Sequence, residues 1–514
     1  MLKLPDPEAL NQRAESRRAT TSTFLPVKQY VRYLSASPTG NGCDAASESA
    51  SVAFRRAMAR LSAGGLAALA AVLLVFGAVV ERAQARRPPA EAGPAWPVAA
   101  SAPLDPVARL QERLSAGEPV LTRDSVLGYL PSLLRALDIP VSSQGFVFSR
   151  TSLQTDKITP WTPRALYFND DVYIGYVQES HFIEIAAMHP TKGAVFYTLG
   201  QAAREQPAFE RETRTCLMCH QSRATTGGVP GLMVLSTITD RHGYPITGVH
   251  DGGMTDATPI RQRWGGWYVT GTHGTLPEAD TTGRAASAVG HAGNVYSELF
   301  RHEVPDKERY RTQIDLTTQS ARTSLADRFD VSPYPSAHSD IVALMVLVHQ
   351  VAVHNLLTAV HEIAATTATV PDDLASATAE QVRLSGAVDR LLRAMLFVRE
   401  APLAGPMHGT TSFATEFAQR GPRDDRGRSL RDFDLNTRLF RHPFSFLVYS
   451  ESFDALPEPT RALLYRRLLA VLTGADAAPD FAHLAAADRS AILEILVGTR
   501  PDFARAWQRQ HVRE

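Results

Sequence analysis

The feature that most limits how this chain folds is the run 339–366, SDIVALMVLVHQVAVHNLLTAVHEIAAT, in which Asp340 and Glu362 are the only charged residues. Its length and composition predict one long helix, with Ser339 or Asp340 as the N-cap. A helix that is apolar almost all round has no solvent face, so it must lie buried at the centre of other layers. It carries His349, His354 and His361. At 100° per residue, His354 and His361 share a face while His349 points about 140° away from His354. The three cannot jointly hold one metal in a simple way, and the expectation is buried histidines hydrogen-bonded to neighbours.

Around this core the 514 residues allow two or three domains. Apolar residues make up 44% and charged residues 21%, which excludes general disorder. The 53 basic and 53 acidic side chains cancel, so nucleic acid is not expected as a partner. Short helices are expected at 105–116 and 125–137. Between 145 and 200, FVFSR, RALYFND, DVYIGYV, HFIEIAA and AVFYTL read as strands of an antiparallel sheet or small barrel. Residues 201–222 read as helical, and GLMVLSTI and WGGWYVTG as two further strands. From 303 onward helices are expected, near 378–400, 459–473 and 485–497 besides the central one. The fold class is α+β, a strand-rich first half followed by a mainly helical second half.

The N-terminus carries a targeting signal. Residues 61–80, LSAGGLAALAAVLLVFGAVV, hold no charge and follow Arg55, Arg56 and Arg60. Either they form a membrane anchor of about 20 residues, or translation begins at Met58 and Ala83-Gln84-Ala85 closes a cleaved signal peptide. The cleaved form is preferred because the A-x-A follows at the right distance. Both place the rest of the chain outside the cytoplasm. The expected organisation is a doubtful or disordered extension (1–57), a signal peptide or anchor (58–85), a linker and short helix (86–124), a strand-rich domain (125–302) and a helical domain (303–514).

Only three cysteines occur, Cys43, Cys216 and Cys219, which excludes a disulfide-rich scaffold. Two of them stand in Cys216-Leu217-Met218-Cys219-His220, the attachment signature of a c-type haem. Thiols three positions apart on one helical turn can both add to the vinyl groups of one haem, and the adjacent imidazole then reaches the iron. Cleavage after Ala85 would leave the motif pair as the only thiols. A redox dithiol and a structural zinc site are the alternatives.

Arg263, beside Trp264, is a candidate partner for a haem propionate, and Trp264 and Trp267 flank Gly265-Gly266. Candidates for the sixth iron ligand are His291 first and Met254 next, with an open site as the further alternative, ahead of Met233 and His273. Met254 sits in the glycine loop Asp-Gly-Gly-Met-Thr-Asp, and His291 in another Gly-rich loop.

The strings IPVSSQGFVFSRTSLQ, PRALYFNDDVYIGYV, GAVFYTL, CLMCHQSRATTGGVPG, RWGGWYVTGTHG, SDIVALMVLVHQVAVHN and GRSLRDFDLNTRLF together resemble a group of exported bacterial cytochrome-c-domain-containing proteins. The resemblance spans about residues 127–500. It implies one covalent haem c on Cys216 and Cys219, with His220 on the iron. Where related chains read His-Met-Gly-Asn, this one has His291-Ala292-Gly293-Asn294, and Ala257-Thr258 stand where a His-Arg is found. The missing side chains cannot be ligands here.

The function expected is that of a periplasmic monohaem c-type cytochrome passing electrons to periplasmic or membrane redox partners, with possible attachment through residues 61–80. Whether it is also an enzyme is left open by the sequence. A compact cytochrome needs about 100 residues, so a peroxidase- or oxidase-like haem enzyme with a pocket formed by the helical half is the alternative. No Ser-His-Asp motif, phosphate loop or H-E-x-x-H suggests hydrolysis.

Overall fold

The computed structural model describes residues 104–118, 121–203, 207–246, 253–273, 293–294, 296–303, 322–367, 377–403 and 405–511. The expected targeting segment and His291 lie outside them. All the described residues belong to one compact unit.

Helices α1 (Pro106–Ser115) and α2 (Leu130–Ala136) precede the sheet strands β1 (Gly145–Val147), β2 (Arg164–Phe168), β3 (Val172–Tyr176), β4 (Phe182–His189), β5 (Gly193–Gly200) and β6 (Phe209–Glu212). The short helices α3 (Leu217–His220) and α4 (Arg223–Thr226) follow, then the two-residue strands β7 (Thr239–Asp240), β8 (Trp267–Tyr268) and β9 (Tyr296–Ser297). The helical half comprises α5 (Ile341–Ala364), α6 (Ala379–Met395), α7 (Phe413–Gln419), α8 (Glu451–Asp454), α9 (Glu458–Thr473), α10 (Ala486–Thr499) and α11 (Pro501–His511). α+β is therefore the observed class.

The sheet order is β6-β5-β4-β3-β2-β1-β8, antiparallel throughout. β6 and β8 remain as edges, so of the two expected forms it is the open sheet. Alternation gives it two buried faces. Tyr167, Val172, Ile174, Ile185, Val195 and Tyr197 pack against Val107 and Leu110 of α1 and Leu130, Leu133 and Leu134 of α2. Phe168, Tyr173, Ala186, Met188 and Phe196 face the central helix α5 and share one core with the helical half. The strand-rich and helical stretches therefore have their largest core in common.

α5 occupies the place its composition demands. It is long and apolar enough to cross a membrane, but 83% of its most apolar window is buried inside the protein. Asp340 caps it, accepting from the backbone N–H groups of Val342 (2.8 Å) and Ala343 (3.3 Å) with Oδ1. Its Oδ2 accepts from Thr410 N–H, Thr411 N–H and Thr411 Oγ1, each at 2.8 Å. A Cβ at Gly409 would overlap that carboxylate, so glycine is needed there. Ser339 Oγ donates to Tyr268 O (2.7 Å) and accepts from Phe146 N–H (2.9 Å), which ties the helix start to β8 and β1.

Three expectations need correction. The stretch 201–222 is not one helix: Phe209–Glu212 forms edge strand β6 on β5. Alternating residues with good helix propensity were captured by a free sheet edge, tertiary pairing overriding local preference. GLMVLSTI forms no continuous strand, and Leu235 makes only an isolated bridge to Gly253. The ladder groups of Leu232 are taken instead by the Asn355 side chain. Helix α2 begins at Leu130 rather than 125, because Asp124 Oδ1 first binds Val126 and Leu127 N–H in a turn.

Removing the Asp340 carboxylate leaves four buried or half-buried N–H donors and the Thr411 hydroxyl without this acceptor, and uncaps the helix. Asp340→Ala should lower stability by about 3 kcal/mol or more, read as a shift in the urea midpoint with unchanged slope. A loss below about 1 kcal/mol would show that the clamp does not hold the helix.

Candidate functional site

The motif folds as one tight turn. Cys216 O accepts from His220 N–H at 2.9 Å and from Cys219 N–H at 3.2 Å. The two thiols therefore lie on one helical turn, and they are not joined as a disulfide. Cys216 is half-buried and packs against the main core, Cys219 is exposed, and the Met218 side chain between them is 67% exposed.

His220 turns inward. Its ring lies 4.7 Å from that of Phe196 on β5, and its Nδ1 is 3.0 Å from Gly231 O. A carbonyl only accepts, so Nδ1 carries the proton and the lone pair of the neutral ring sits on Nε2. Burial holds the ring neutral, its pKa pushed down to about 4. Gly231 N–H donates in return to His220 O at 2.8 Å. An imidazole whose Nδ1–H is bound to a backbone carbonyl is oriented as metal-ligating histidines are.

The electrostatics of the turn come from the sheet. Gly175 lacks a side chain where the Arg164 guanidinium passes: a Cβ there would stand 2.6 Å from Arg164 Nε. Arg164 thereby crosses β3 and reaches Glu184 on β4 at 3.0 Å. Burial first, then Glu212 and Glu184, push the Cys216 thiol up to about 11, partly opposed by Arg164. Neither Arg164 nor Glu184 stands out in the sequence. Alternation in RALYF and FIEIA places each on a face, but only the register brings them together.

The other expected residues lie elsewhere. Arg263 is buried and donates to Thr258 O (Nε, 2.7 Å) and Asp256 O (Nη2, 2.8 Å). Burial lowers its pKa, against Asp256 and Glu400. It is committed to the protein interior, which leaves little for a propionate. Met254 is also buried, its Sδ accepting from Trp264 N–H at 3.0 Å and its own N–H bound to Val234 O. Met233 and His273 are half-buried.

The helix histidines bond to neighbours, each differently. His349 bridges Asp256 Oδ2 and Ser445 Oγ, both at 2.8 Å. This has the outline of a hydrolytic relay, but His349 and Ser445 are fully buried and Phe397 stacks on the imidazole at 4.1 Å. Ser445 Oγ also caps Leu447 N–H, so the arrangement is a structural clamp. His361 Nε2 lies 2.7 Å from Ser452 O. Gln350 Nε2 donates to Asn169 O and to Tyr173 OH, and Tyr173 OH lies 2.9 Å from His354 Nδ1. With the Gln350 amide donating to its oxygen, the Tyr173 O–H is placed to donate to Nδ1 of the neutral His354 ring.

No known protein family, curated protein or solved structure matches the chain.

Two measurements follow from these environments. In protein with both thiols free, iodoacetamide at pH 8 should modify Cys219 first. A Cys216 thiol with a pKa of about 11 is thiolate in only about one molecule in a thousand at that pH. Equal labelling rates would contradict the environment described. Burial lowers the pKa of His354 from 6.5 to about 3. The unfolded chain then binds a proton below pH 6.5 that the native state refuses. Relative to His354→Gln, wild type should lose about 1.4 kcal/mol of stability per pH unit from about 6.5 down toward 3. Parallel stability profiles for the two proteins would show that His354 is not held neutral.

Proposed function

We propose that this protein is an exported monohaem c-type cytochrome, an electron carrier in which Cys216 and Cys219 form the thioethers and His220 is the proximal iron ligand. The observation that carries this reading is the His220 Nδ1–H bond to Gly231 O, in a ring whose two flanking thiols occupy the same turn. The donor set fits the group: two unpaired thiols and a neutral imidazole with its Nε2 lone pair available. Bound there, haem c would supply a one-electron iron couple.

The protein's own residues account for the rest. Phe196 and Gly231 fix the plane and tautomer of His220. The exposed Met218 and Cys219 keep the turn at the surface, where a periplasmic or membrane redox partner can approach. Arg164 acts electrostatically on Cys216 and His220, and would set a positive charge beside the group. A catalytic dithiol fits less well, since such thiols have depressed pKa values and that of Cys216 is raised. For zinc, no group of three or more His, Cys, Asp or Glu converges among the described residues. To serve as a sixth ligand, Met254 would have to give up the Trp264 N–H.

Full-length protein exported together with the haem-attachment machinery should give a c-type pyridine haemochrome that survives acid–acetone extraction. Cys216→Ser or Cys219→Ser should weaken attachment and shift the band, and the double variant should abolish covalent haem. A wild-type protein without the haemochrome band overturns the reading.

A further inference from the structure

The loop that receives His220 is held at three successive residues by three different elements. Pro230 O accepts from Ala194 N–H of β5 at 3.0 Å. Gly231 exchanges two bonds with His220, through its carbonyl to Nδ1 and through its N–H to the His220 carbonyl. Leu232 exchanges two with one side chain of the central helix: its N–H donates to Asn355 Oδ1 (3.0 Å), and Asn355 Nδ2 donates to its carbonyl (2.7 Å). The orientation of the Asn355 amide is therefore unambiguous. A Cβ on Gly231 would overlap Asn355 Oδ1, so the helix side chain and the loop backbone are in direct contact.

We infer that Asn355 is a positioning residue for the axial imidazole. By taking both backbone groups of Leu232, it substitutes for a neighbouring strand and fixes the adjoining peptide. The Gly231 carbonyl is then presented to His220 Nδ1–H. The sequence separation of 123 residues between Leu232 and Asn355 makes this a contact from the helical half to the motif. An oriented, bound Nδ1–H gives the ring partial imidazolate character and makes Nε2 a stronger donor. A stronger donor favours ferric over ferrous iron and lowers the reduction potential. The geometric claim stands on the hydrogen bonds alone; its consequence for the potential rests on the haem reading.

The test uses the full-length chain with Asn355→Ala and Asn355→Asp. Asp keeps the acceptor for Leu232 N–H but sets an oxygen against Leu232 O. In ¹⁵N-histidine spectra of protein made without haem attachment, wild-type His220 should show Nδ1–H with a pyridine-like Nε2. Either variant should shift His220 toward the Nε2–H tautomer. In haem-loaded protein the midpoint potential should move upward in both variants. A folded variant that keeps the wild-type tautomer overturns the inference, and an unchanged potential overturns its redox consequence. If neither variant folds, hydrogen exchange on wild type decides: protected Leu232 N–H and Asn355 side-chain amide protons support the clamp, and free exchange at either overturns it. Absence of haemochrome would sink the haem reading while the tautomer and exchange measurements still judge Asn355.

Discussion

The interaction on which the rest depends is the Asp340 carboxylate at the head of the central helix. One oxygen satisfies the helix N-terminus and the other holds Thr410 and Thr411, so a single buried charge ends one segment and anchors another. Ser339, the residue before, is bonded to β1 and β8. With its start fixed to the sheet, a helix rising about 1.5 Å per residue has its later side chains delivered to set positions. Gln350 and His354 meet Tyr173, and Asn355 meets Leu232.

This explains why a large helical half accompanies a five-residue motif. The motif turn has few core contacts of its own, with Cys219 and Met218 exposed. Its inward residue is steadied by Phe196 from the sheet and by a loop that the central helix holds. The same sheet face carries the register row Phe168, Tyr173, Ala186, Phe196 and Glu212, which runs from the helical core to the edge strand beside the cysteines. The absence of a side chain at Gly175 lets Arg164 reach Glu184 across that face. Core and candidate site are thus one continuous surface.

Much of the fold was legible because its signals are local. The five strand runs from 145 to 200 and the helices near 379–395, 458–473 and 486–499 appear where alternation and apolar periodicity place them. The failures have a shared cause. Phe209–Glu212 became a strand because β5 offered an unpaired edge, and Leu232 left the ladder because Asn355 took its backbone groups. Both outcomes depend on residues far away in the chain. Arg263, beside Trp264, reads as a propionate partner in the sequence, yet it is buried on the carbonyls of Asp256 and Thr258.

By itself, the sequence set Cys216, Cys219 and His220 close enough to share one turn, as they do. It also determined that the central helix is largely buried, since Glu362 is the only charged residue of 341–364 and the only fully exposed one. Only the tertiary structure decided which way His220 faces, which nitrogen keeps its proton and which charges surround Cys216. Those properties belong to groups brought within hydrogen-bonding or Coulombic range from other strands and helices. Register and helix docking are set by the summed packing of the whole core, and no local window of residues contains that sum.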